Sequence, residues 1–205
     1  MNRSSITGAA VRGAVISVLS VLAAACTVAP PQPAALAAAN FNGEAAVGKV
    51  RAVGGADARE LDVQPLRDTQ VEDLRVRAAE LEKTRKYPEA AAALDQALAI
   101  NANDPALLQE RAEAALLLHR LDDAERFAQQ AYGGGSKLGP LCRRHWATIA
   151  QARQGRLDGI LAAMKLAERQ DHYDALVPQR TQAIAAQKQA QGQIDTCTVA
   201  APARY

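Results

Sequence analysis

The chain has 205 residues, 49% of them apolar and only 3% aromatic, with 24 basic against 22 acidic side chains. That length has room for one or two domains and enough apolar residues for a core, while an alanine-rich, aromatic-poor composition suits packed helices and disfavours a β-sandwich. Arg3 and Arg12 lie in a segment read below as removed; 24 − 2 = 22 basic against 22 acidic residues then remain, and a neutral chain excludes binding of nucleic acid through a general positive field.

At the N-terminus, Arg3 and Arg12 precede an apolar run over residues 13–25, too short to cross a ~30 Å hydrocarbon layer as a helix. Residues 1–25 therefore read as a secretory signal peptide. The run closes Val21-Leu22-Ala23-Ala24-Ala25-Cys26 and resembles a bacterial lipobox, with a small residue at each site before the cysteine and the leucine one place early. The resemblance implies lipidation of Cys26, which becomes the new N-terminus; two or three acyl chains hold a protein at a membrane where one is marginal. Thr27, in place of an aspartate, implies the outer membrane, with the chain facing the periplasm. The alternative is an ordinary signal peptide cut at an A-x-A site, with Cys26 incidental.

Residues 26–66 shift to Ala, Pro, Gly and scattered charge, starting Pro30-Pro31-Gln32-Pro33, and read as a flexible tether. A short strand over residues 47–53 is the competing reading, opposed by Gly48, Gly54 and Gly55.

Helical signals follow. Asp68 or Thr69 caps a first helix, with Glu72 and Asp73 suiting the positive end of its dipole. A turn over residues 85–88 places Pro88 in the first turn of the second helix. Asp104-Pro105 starts a third helix reaching to about His119, and Gly133-Gly134-Gly135 ends the fourth. Val177-Pro178 marks a break after a third pair. Residues 179–191 then read as a polar helix that caps the stack, and residues 192–205 as a loose tail.

These signals repeat. Val71, Pro105 and Gly139 stand 34 residues apart, and from each start an apolar stripe recurs at i, i+4, i+7: Leu74, Ala78, Leu81, then Leu108, Ala112, Ala115, then Cys142, Trp146, Ile149. With that step the chain resembles the tetratricopeptide repeat family over residues 67–191. It departs from the family pattern at the tryptophan, leucine and glycine slots, and Gly155 comes two residues late in the third copy. The resemblance implies an all-α fold: a right-handed superhelical stack of about three helix-turn-helix repeats with a C-terminal capping helix, binding another protein and seldom catalysing anything.

It also implies that the inner wall carries Arg75, Ala79, Glu82, Gln109, Glu113, Leu116, Leu117 and Arg143. Charges around an apolar spot suit a peptide or helix laid in a groove; alternatively, Leu116 and Leu117 are simply core. A second candidate is the column Arg77, Arg111 and His145, basic at one slot in each copy. It either clamps an acidic segment or lays its arginine stems along the core edge beside nearby acids.

With Cys26 lipidated, Cys142 and Cys197 either form a disulfide or stand apart. The three histidines share no metal spacing, and no nucleophile elbow, zincin motif or phosphate loop is present. No cofactor, metal or catalytic group is therefore expected. The expectation is an outer-membrane, lipid-anchored scaffold whose open groove binds an envelope protein during assembly of outer-membrane proteins, pili or cell wall. The alternative is a self-associating structural lipoprotein.

Overall fold

In the computed structural model, residues 32–55 and 68–198 are described, and they form eight α-helices with no strand among them. The region expected to repeat begins at α3 (Thr69–Lys83), where the Asp68 carboxylate accepts from the Gln70 N–H at 2.8 Å. α4 (Tyr87–Ile100) opens with Pro88, whose missing N–H is no loss in a first turn. α5 (Pro105–Leu117) is capped by Asp104, which accepts from Ala106 and Leu107, and α6 (Leu121–Gly134) follows.

The two hairpins α3–α4 and α5–α6 turn in the same way, 34 residues apart. In the first, the N–H of Arg85 donates to Glu82 O and that of Lys86 to Leu81 O; in the second, His119 donates to Leu116 O and Arg120 to Ala115 O. Arg85 and His119 both take the left-handed conformation, with φ of 59° and 57°. That is the helix-ending motif in which orphan carbonyls find donors beyond the last turn. Here each copy places a residue with a Cβ where glycine is favoured.

The third copy departs from the expectation. The residue 34 beyond His119 is Arg153, and it sits mid-way along α7 (Pro140–Leu166), an unbroken helix of 27 residues. Gly155, read as a late turn signal, is buried instead: a Cβ there would lie 2.8 Å from Leu121 Cδ1 and from Phe41 Cδ2. Its smallness serves close approach, not chain reversal. The partner of α7 is α8 (Gln170–Thr196), also of 27 residues, which runs through Pro178 without a break. Packing along a long neighbour sustains a helix that local signals alone would end. The architecture is thus two 34-residue hairpins followed by one long hairpin, not three like repeats plus a separate cap over residues 179–191. The C-terminal residues through Thr198 are not loose: Cys197 is disulfide-bonded to Cys142, and Cys197 O accepts from Gly139 N at 2.8 Å.

The largest correction lies upstream. Residues expected to be tether form α1 (Pro33–Asn40) and α2 (Gly43–Gly54). α2 buries Gly43, Ala46, Val47, Val50 and Gly54, a stripe at helical spacing, and Asn42 caps it by accepting from Ala45 N at 2.9 Å. α1 lies on α7, where Gly159 makes room: a Cβ there would stand 2.3 Å from Pro33 O and 2.6 Å from Ala37 Cβ. The strand alternative for residues 47–53 fails with the tether. Alanine and glycine read as looseness in the sequence, whereas in the fold they let helices approach closely. Residues 1–31, with the expected signal peptide and Cys26, lie outside the described residues, as do 56–67 and 199–205.

Three apolar clusters hold the stack. One joins α3, α4 and α5 through Val71, Leu94 and Leu107. Another joins α5, α6, α7 and α8 through Ala112, Ala128, Ile149 and Ala190. The third seats α1 and α2, with Ala37, Val47 and Val50 against Leu116, Leu117, Leu121 and Ala147. No described helix is long and apolar enough to cross a membrane.

Candidate partner-binding groove

The expected wall takes one face each of α3, α5 and α7, and α2 already lies against two of those helices, α5 and α7. Its first residue, Gly43, is so close to the end of α5 that a Cβ would stand 2.5 Å from Leu116 O; its last, Gly54, lies against the Arg144 side chain near the start of α7. Gln109, Glu113, Leu116, Leu117 and Arg143, read from the sequence as groove residues, are all buried. Leu116 and Leu117 are therefore core, and what they cover is α2.

Beneath α2 sits a connected polar network. The Glu113 side chain is 1% exposed, and its carboxylate takes Arg51 Nε at 2.8 Å on one oxygen. The other oxygen takes Arg144 Nε at 3.0 Å and Nη2 at 2.5 Å, with Gln109 Nε2 at 2.9 Å. Gln109 also donates to Thr148 Oγ1 at 2.8 Å, and its carbonyl oxygen meets His145 Nδ1 at 2.7 Å. Buried carboxylates persist when charge-assisted bonds fill their lone pairs in this way. Arg51 continues outward to Glu82, whose two oxygens accept at 2.7 and 3.0 Å. Burial alone would lower the Arg51 pKa; its bonds to Glu82 and Glu113 outweigh that and raise it. Arg143 donates to Val53 O at 3.1 Å and Gly54 O at 3.5 Å, the last carbonyls of α2, where a cation suits the helix dipole.

The part of the wall belonging to α3 stays open. Arg75, Ala79 and Glu82 line a cleft of about 410 Å³ with Glu72, Val76 and Arg51. Arg75 pairs there with Glu110 and Glu72, and the hydrogen bond to Glu110 is the main reason its pKa is raised. The groove is therefore not the open one expected: two thirds of its helices are covered in cis and the first is accessible.

The basic column does not assemble. Arg77 is exposed. Arg111 is buried, pairs with Asp95 at 2.6 Å and lies 4.8 Å from the centre of the Phe127 ring. His145 is wholly buried, and its pKa is pushed down to about 3, by burial first and then by the cations Arg144 and Lys137. A neutral imidazole within the packing is no clamp for an anion, so the slot periodicity reflects position in the repeat rather than a shared surface.

Arg51, Arg144 and Thr148 were not among the residues singled out from the sequence. The signal for Arg51 was available in the 43, 46, 47, 50, 54 stripe, but a Gly/Ala/Val pattern that short competes with a tether reading. Among the described residues no group of three His, Cys, Asp or Glu side chains could hold a metal ion. No protein-family model matches the chain, and no curated protein matches it significantly.

Proposed function

We propose that the protein is a membrane-anchored, periplasmic protein-binding scaffold of the tetratricopeptide type. It would be lipidated at Cys26, attached to the outer membrane and engaged in an envelope assembly process. The observation that carries this reading is α2 itself: the inner wall of α5 and α7 receives a helix, with an apolar stripe on Leu116 and Leu117 and a charged clamp at Glu113 and Arg143. The 34-residue recurrence of the left-handed turns at Arg85 and His119 supports the repeat assignment for α3–α6. The open cleft at Arg75, Ala79 and Glu82 supplies the accessible part of the surface.

Photo-crosslinking in cells tests it. A crosslinking amino acid at Ala79, inside the cleft, is expected to trap a heterologous envelope protein, and one at Gln96 on the far side of α4 is not. A product of twice the protein's own mass would favour the self-associating structural role. Identical products from both positions, or none from Ala79, would remove the adaptor reading.

A further inference from the structure

We propose that α2 is a displaceable occupant of the groove, and that the partner is a helix of α2's own chemistry that competes with it. The inference rests on the scaffold reading above and names the ligand of that site.

The contacts specify the ligand. A glycine is needed where Gly43 sits, because a side chain would meet Leu116 O at 2.5 Å. Three, four and seven residues on come Ala46, Val47 and Val50, filling the apolar part of the wall. One residue further, Arg51 places its guanidinium between Glu82 and Glu113, a pair of carboxylates that a planar, five-donor cation matches better than an ammonium does. The groove thus selects an amphipathic helix with a narrow stripe of small residues and an arginine directly after the valine that fills the Val50 position.

Three features make α2 able to leave. Its own apolar stripe is glycine, alanine and valine, so α2 itself returns little apolar surface to water, and the incoming helix covers Leu116 and Leu117 in its place. Gly48 lies inside α2 on the exposed side, with nothing within 4 Å of a Cβ; an interior glycine weakens a helix by about fourfold relative to alanine. Glu113 keeps Arg144 and Gln109 when Arg51 departs, so opening does not strand a buried carboxylate. The cleft of about 410 Å³ beside Arg51 gives an incoming helix a first foothold.

The test uses the full chain and a fluorescent synthetic peptide of residues 41–55. Arg51→Glu, which sets a third carboxylate against Glu82 and Glu113, is expected to free the groove and tighten peptide binding at least tenfold. Gly48→Ala, which strengthens α2 without touching the wall, is expected to weaken binding about fourfold. In hydrogen exchange, α2 amides should exchange faster than those of α5, and Gly48→Ala should slow them. Equal peptide affinity for all three folded proteins, or no binding by any, overturns the proposal. Should Arg51→Glu not fold, Gly48→Ala decides: α2 amides that exchange only together with α5 at global unfolding overturn it equally. A wild-type dimer in light scattering, dissociated by the peptide, would assign the groove to a second copy's α2 and overturn the heterologous partner. Peptide exchange without a trapped protein at Ala79 would leave the displaceable α2 standing and remove the adaptor reading alone.

Discussion

His145 and Glu113 show how far a repeat register carries at the level of single residues. Both fall on slots the 34-residue step singles out, so their place in the register was legible; their burial was not, because that of Glu113 depends on α2, which no repeat announces, and that of His145 on packing beside Gln109 and the Gly135 turn. For His145 the consequence is acid sensitivity. Its folded pKa of about 3 lies below the ordinary 6.5, so the unfolded chain binds the extra proton. Stability from this group is full above about pH 6.5 and falls as pH drops toward 3. Lowering pH from 7 to 5 should cost the wild type about 2 kcal/mol more than His145→Gln, read from urea unfolding at both values. Glu113→Ala takes the carboxylate from Arg144, from Arg51 Nε and from one N–H of Gln109 and should cost about 3 kcal/mol at pH 7 by the same measurement.

Among the helices, the turns and the glycines separate what local signals say from what packing decides. Pro88, Asp104 and Pro105 marked their boundaries because each has a local reason to stand there. Gly155 and Pro178 misled because α7 and α8 support one another along their lengths, and Gly159 carried no readable sign that α1 would lie on it. Arg85 and His119 give a matched experiment. Arg85→Gly relieves a left-handed residue whose side chain makes only an exposed 3.2 Å contact to Glu44, and should raise stability by up to about 1 kcal/mol. His119→Gly relieves the same conformation but gives up the 2.8 Å contact to Ala38 O and the edge contact with Phe41, so its gain should be smaller or reversed. Thermal unfolding of the two variants side by side checks the contrast. Gly159→Val should detach α1 while leaving the α3–α6 hairpins folded, seen as new protease cleavage near Phe41 with helical content nearly unchanged.

Over the whole molecule, the stack is closed at its C-terminal side by the covalent link from the start of α7 to the end of α8. Cys142 and Cys197 enclose a separation of 55 residues, and the chain-entropy relation gives about 4 kcal/mol for a loop of that size. Reduction, or Cys197→Ser, should lower the melting temperature accordingly and let the end of α8 exchange first. This pairing was one of two readings open from composition, since spacing in sequence says nothing of proximity in space.

The berth of α1 and α2 also sets how far the body could stand from a lipid surface. With Cys26 as the anchor of the proposal, only six steps of chain separate it from Gln32 when both helices are seated, a leash of at most about 22 Å. Undocking them would lengthen the leash to the 42 steps between Cys26 and Asp68, with a typical span of about 36 Å and a far larger maximum. Because α1 rests on α7 at Gly159 and not in the groove, a client that displaces α2 alone would leave the leash short and be held close to the bilayer; only loss of the α1 berth as well would let body and client swing away.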